Sequence, residues 1–136
     1  MGEKLLDASL LLMPLVKFVG STDPRWLATL DRIWKELSYN PLVYRYRVAE
    51  AADDGFSSSE EGSFSTCSFW LVECLTRAGR VEEARLALEK MFSYANHLGF
   101  FSEEIALSGE TLGNFPQALT HLALISAAVN LDKALG

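Results

Sequence analysis

Helical segments of two kinds alternate along this chain, and that alternation constrains the fold more than any other feature. The first segment, from about Glu3 to Val19, is apolar on every side, with Leu5, Leu6, Leu10, Leu12, Met13 and Phe18 spread round it; Pro14 interrupts it and Gly20 ends it. The second, Pro24 to Ser38, has Asp23 as its cap, Pro24 in the first turn and one stripe of Trp26, Leu30, Ile33, Trp34 and Leu37. The third, Ser65 to Ala78, places Cys67, Trp70, Leu71, Cys74 and Leu75 on one face and Phe69 and Val72 on the other. The fourth, Val81 to His97, is amphipathic, with Ala84, Leu88, Met91, Phe92, Ala95 and Leu98 inward. The fifth, about Phe115 to Leu131, is apolar all round, with Asn114 as its cap before Phe115-Pro116. A helix apolar on all sides is buried on all sides. The order is therefore buried, amphipathic, buried, amphipathic, buried. Two layers of helices produce that order, so the expected fold is all-α, a partial α/α toroid in one domain spanning 1–136.

The connections carry the same information. Residues 39–64 and 99–115 are long, and each precedes a buried helix. Antiparallel alternation brings both to one end of the assembly, with the short connections at 20–23 and 79–80 at the other. The first long connection contains a short strand pattern, LVYRYRV, and an acidic serine-rich tract, DDGFSSSEEGS. Long loops on a rigid scaffold are where functional groups concentrate. Arg45, Glu60, Glu61, Phe64, Glu103 and Glu104 are thus expected at one end.

Composition narrows the partners. A net charge of −6 over 136 residues, with no Lys/Arg cluster, disfavours nucleic acid and anionic membrane. Leu5 to Val19 is too short and too interrupted to span a bilayer, and its acidic start and missing small-residue cleavage site speak against a signal peptide. Cys67 and Cys74 lie two helical turns apart, too far for a mutual bridge, and read as buried thiols of a cytoplasmic protein. Two cysteines and two histidines give no metal-ligand spacing, and nothing calls for a cofactor. The apolar fraction of 49% is more than a small domain of this size readily hides.

Each candidate site residue also has a bland reading. Adjacent acids such as Glu103 and Glu104 are most often solvated, but here Phe100 and Phe101 precede them and a second loop is expected alongside. An aromatic wall beside a carboxylate suits a sugar. Arg45, between Tyr44 and Tyr46, reads as a sugar-hydroxyl donor or as a structural ion pair. Glu60 fits a solvated charge, Phe64 and Trp70 fit core, and His121 fits a satisfied buried histidine.

Taken in order, LLDASLLLMPLVKFV, DPRWLATLDRI, YRY, EGSFSTCSFWLVECL, AGRVEEARLALEKM, ANHLGFFSEEI and GETLGNFPQALTHLALI resemble the C-terminal part of glycoside hydrolase family 15, which holds glucoamylases, bacterial glucoamylase-like enzymes and some trehalases. The resemblance implies a toroid of six inner and six outer helices and hydrolysis of a glucoside or oligosaccharide with inversion, in which one carboxylic acid protonates the glycosidic oxygen and one carboxylate activates water. It implies that Glu103, first acid of the Ser-Glu-Glu triplet, is the general base, with Glu104 a neighbour that orients or binds. It carries substrate binding to Arg45 of YRY, and to Glu61 and Phe64 of EGSF.

The family's general acid lies in an earlier loop that has no counterpart here, and the N-terminal β-sandwich of bacterial members has none either. Loss of the acid alone removes a factor of roughly 10²–10⁴, so weak or no hydrolysis is expected of this chain by itself. The first and fifth helices would keep an open apolar flank, which implies a homo-oligomer or association with the missing N-terminal part of the enzyme. Two rivals remain: a non-catalytic sugar-binding remnant, and a tetratricopeptide-like interaction module built on the hairpin TRAGRVEEARLALEKM, for which no second copy exists.

Overall fold

The computed structural model describes residues 6–45, 63–105 and 108–136. Its centre is helix α3 (Ser65–Arg77), buried along nearly its whole length. Phe69, Leu71, Val72, Cys74 and Leu75 meet no solvent. Helices α4 (Val81–Phe92) and α5 (Ala118–Leu135) and the N-terminal segment pack round it.

Burial on all sides leaves the polar groups of α3 to find partners inside the protein, and all of its buried side-chain polar atoms but Ser65 Oγ do so. An orphaned one costs about 1–3 kcal/mol. Glu73, 4% exposed, is the extreme case. Its Oε1 accepts from Arg77 Nε and Nη2 at 2.9 and 2.7 Å and from Asn130 Nδ2 at 3.2 Å, and its Oε2 accepts from Ser126 Oγ at 2.6 Å. The carboxylate therefore ties α3 to α5. Thr76 Oγ1 donates to the Val72 carbonyl at 2.9 Å, and Cys74 Sγ donates to the Leu11 carbonyl at 3.1 Å. Both cysteines are free and buried. Burial pushes the Cys67 thiol up to about 12 and raises Cys74 as well.

The turn from α3 to α4 follows from Gly79. At φ 82° it lets its own N–H reach the Thr76 carbonyl (3.1 Å) while the Arg80 N–H reaches the Leu75 carbonyl (2.9 Å), a Schellman stop. Arg80 then bridges α4 to α2 (Pro24–Leu37), donating to Asp31 Oδ1 and Glu83 Oε2, each at 2.5 Å. Helix α2 matches its pattern: Trp26, Leu30, Ile33 and Leu37 are buried. Asp23 caps it, accepting from the Arg25 N–H at 2.9 Å. Hydrogen bonds from the Arg25 side chain and backbone hold the Asp23 carboxyl at about 2.

Four expectations need correction. The first helix does not run from Glu3 to Val19 as one element: residues 1–5 lie outside the description, and a 3-10 turn (Ala8–Leu11) capped by Asp7 leads into a single α turn, α1 (Leu12–Leu15). It stops before Gly20 because Lys17, at φ 61°, closes the turn, with Lys17 N–H on the Pro14 carbonyl and Phe18 N–H on the Met13 carbonyl. Helix α4 ends at Phe92 instead of His97, because the Asn96 side chain takes over: its Oδ1 accepts from Leu98 N–H and Phe100 N–H, both at 2.9 Å, and turns the chain back. Helix α5 begins at Ala118, with Gln117 in place of Asn114 at its cap. It also buries one stripe only, Thr120, Ala123, Ala127 and Leu131, and leaves Leu119, Leu122, Ile125 and Val129 exposed. Nothing among the described residues covers that row.

The fold is mostly helical but not purely so. Strands β1 (Ser38–Tyr39) and β2 (Leu42–Val43) form a hairpin through Asn40-Pro41. Strands β3 (Ser63–Phe64), β4 (Glu104–Ile105) and β5 (Thr111–Leu112) form an antiparallel sheet with β4 in the middle. Of these only β2 falls within the strand pattern read from LVYRYRV; periodicity misses the other two-residue strands because no alternation can show in them. Among the described residues no helix is long and apolar enough to cross a membrane.

Replacing Glu73 by Ala should cost about 2–4 kcal/mol, since Arg77, Ser126 and Asn130 then lose their shared partner. Gln, which keeps the volume and the bond to Ser126, should cost about 1–2 kcal/mol. Urea unfolding midpoints check both. Native protein at pH 8 should resist iodoacetamide at both cysteines, and unfolded protein should take up two equivalents, read by intact mass; rapid native labelling would contradict the burial of the thiols.

Candidate functional site

The site is built on the loop from Phe100 to Ile105, which is fastened residue by residue. Phe101 goes into the core, edge-on to Phe69 with ring centroids 5.2 Å apart. Its N–H donates to His121 Nε2 at 3.2 Å, and its carbonyl accepts from the Gln117 N–H at 3.2 Å. Ser102 is buried: its Oγ donates to the Glu104 carbonyl at 2.6 Å, and its own carbonyl lies 3.3 Å from Thr120 Oγ1. Thr66 Oγ1 of α3 lies 3.3 Å from the same Thr120 hydroxyl. Three buried hydroxyls thus pin the loop between α3 and α5.

Glu103 follows. Its N–H donates to the Asn114 carbonyl at 2.9 Å, and its carbonyl accepts from the N–H of Ser65, the first residue of α3, at 2.9 Å. Its side chain is held too: Oε2 accepts from the Asn114 backbone N–H and from Asn114 Nδ2, both at 3.1 Å. The side chain is half-buried. A carboxylate with a fixed backbone and one anchored oxygen can present the other oxygen in a set direction, which is what a base acting on a water needs.

Glu104 stands in the middle strand, opposite Phe64 on one side and Leu112 on the other. The pairing of β3 with β4 brings the end of the first long connection against the middle of the second, so Phe64, Glu103 and Glu104 share one end of α3. Phe64 is half-buried. Arg45 comes two residues after β2, which lies beside β3, and its carbonyl accepts from Ala8 N–H at 2.8 Å. Its side chain is exposed. Burial raises the phenol of neighbouring Tyr44, with Tyr39 adding to the effect, so its hydroxyl keeps its proton. Glu61, and Glu60 beside it, lie outside the described residues. Among the described residues no three His, Cys, Asp or Glu side chains are grouped to hold a metal ion.

Two sequence-based readings of this region change. Phe101 is a core anchor and is closed to a sugar; Phe100, partly exposed and edge-on to His121, is the aromatic that remains at the surface. Asn114, read as a helix cap, is a donor to Glu103. The ETLGN segment held the signal for it, since a Gly-Asn pair eleven residues beyond a Ser-Glu pair suits a tight return past that glutamate, but no local periodicity reports a contact of that span.

The chain is 48% identical over 134 residues to a trehalase of Mycolicibacterium smegmatis and 50% identical over 134 residues to a trehalase of Mycobacterium tuberculosis, in each case over 98% of this chain. It is 46% identical over 136 residues to a trehalase of Thermoplasma volcanium. It spans only about a fifth of the length of these relatives, 20%, 19% and 21% respectively. No solved structure matches it. The family profile of the glycosyl hydrolases family 15 matches residues 1–129, nearly the whole chain, and on that match, with relatives near half identity, the chain belongs to the glycosyl hydrolases family 15.

Proposed function

We propose that these residues form the base-bearing portion of an inverting α-glucosidase of trehalase type. The observation that carries the reading is Glu103, a carboxylate fixed through its N–H, its carbonyl and one side-chain oxygen at the end of the helix core where both long connections meet. The resemblance assigns the general base to this residue, and the trehalase relatives favour trehalose as the glucoside. Glu103 would take a proton from water as that water attacks the anomeric carbon, while an acid from outside these residues protonates the departing oxygen. In inverting enzymes the two carboxyl groups stand roughly 6.5–9.5 Å apart, leaving room for that water. Arg45 would hold sugar hydroxyls, Phe64 and Glu61 would line the sugar site, and Glu104 would orient its neighbour or the sugar. The α/α toroid remains part of this proposal: α3 is the inner helix, α2 and α4 are outer ones, and the bare row on α5 is the seam to the next inner helix. Two free, buried cysteines suit a reducing cytoplasm.

Activity is tested by putting this chain in place of the matching segment of the Mycolicibacterium smegmatis trehalase. The chimera should hydrolyse trehalose, and Glu103→Gln should lower kcat by roughly 10²–10⁴-fold, while Arg45→Ala should act mainly on KM. Full activity of Glu103→Gln would remove the base assignment. Trehalose binding by the chimera, dependent on Arg45 but with no turnover in either form, would favour a non-catalytic sugar-binding role.

The row Leu119, Leu122, Ile125 and Val129 needs cover, with Leu122 alone 64% exposed. We assign it to the remaining part of a polypeptide of the relatives' length. Alone, the chain should self-associate through this row with increasing concentration, and Leu122→Glu with Ile125→Glu should abolish that. Sedimentation velocity showing a wild-type monomer at high concentration would count against the assignment.

A further inference from the structure

Glu103 is held by more than its backbone position requires. The pairing of Glu103 N–H with the Asn114 carbonyl at 2.9 Å already fixes how the two strands of this loop run past each other. The bonds from the Asn114 backbone N–H and Nδ2 to Glu103 Oε2, at 3.1 Å each, add nothing to that register. What they fix is the carboxylate itself. A glutamate has three side-chain torsions, and an unheld one samples many positions. Two donors from one residue on one oxygen remove most of that freedom. Among the described residues the other oxygen, Oε1, takes no hydrogen bond.

Gly113 makes the approach close enough. A Cβ there would stand 2.8 Å from Glu103 Oε2 and 3.2 Å from Glu103 Cβ, and its φ of 70° lies in the region that suits glycine. No side chain fits between this backbone and the carboxylate.

We infer that Asn114 is a positioning residue for Glu103, with Gly113 providing the space: the pair anchors Oε2 so that Oε1 faces the reacting water. The inference rests on Glu103 being the general base. Displacing a catalytic group by about 1 Å costs on the order of 10²-fold, so a loosely held carboxylate would lose most of its effect without any change in fold.

The test begins with the isotope-labelled chain in solution. Couplings through the hydrogen bonds should link both Asn114 nitrogens to the Glu103 carboxyl carbon, and side-chain couplings should show one Glu103 rotamer. In Asn114→Ala and in Gly113→Ala, Glu103 should average over rotamers while the α3 and α5 resonances stay in place. A Glu103 that keeps its single rotamer in both variants overturns the inference. In the trehalase chimera, Asn114→Ala should lower kcat by about 10–10²-fold and leave KM within about threefold; an unchanged kcat also overturns it. Failure of the base reading shows separately, as a chimera that stays active with Glu103→Gln although the couplings to Asn114 persist in the wild type.

Discussion

Helix α3 meets solvent almost nowhere, and the elements around it are arranged to satisfy what that burial demands. An apolar surface on every side draws in α5, α4 and the N-terminal turns, since covering it is the main source of stability available. The polar groups on the same helix then dictate how those neighbours sit. Glu73 needs donors and takes them from Arg77, Ser126 and Asn130, which fixes α5 along α3. Thr66 meets Thr120, which fixes the start of α5 against the start of α3. Ser65 offers the unsatisfied N–H of a first helical turn, and the Glu103 carbonyl accepts it.

That last contact links packing to chemistry. The first turn of a helix leaves several N–H groups without partners. Here one of them receives the loop that carries the acidic pair. Phe101 packed on Phe69 and Ser102 held beside Thr120 hold the loop from its other side. Glu103 is therefore a loop residue in sequence and nearly part of the core in its constraints. Only its carboxylate reaches outward, and Asn114 limits even that. In the proposed role of general base, such a rigid mount would hold the carboxylate in one geometry toward the water.

The opposite face of α5 shows the same physics left incomplete. Its buried stripe is narrow, and Leu119, Leu122, Ile125 and Val129 stand in water. The residues of α5 are as apolar on that side as on the side facing α3. Such a helix suits neighbours on both sides, and the described residues, α3 and α4, cover only the buried stripe. The high apolar composition and the bare row are two views of one fact: α5 carries more apolar surface than the described residues cover.

The sequence by itself determined the mostly helical class, the buried α3 between the amphipathic α2 and α4, the Asp23 cap and the Gly79 stop, because each depends on spacing or on residues close in the chain. It also determined that Glu103 and Glu104 stand out, through their triplet and their place before a buried helix. It did not determine where the first and fourth helices end or where the fifth begins: Lys17 and Asn96 turn the chain through bonds outside the helix pattern, and the Gln117 N–H is taken by the distant Phe101 carbonyl. It misread Asn114 and Phe101 for a related reason: a capping asparagine and one that donates to a distant carboxylate look alike, as do a wall and a core aromatic, until a distant partner chooses between them. Those partners, Glu103 for the first and Phe69 with His121 for the second, lie eleven to thirty-two positions away. Only the closing of both long connections over the first turn of α3 brought them within reach, and no periodicity in a chain records a contact made by folding it back on itself.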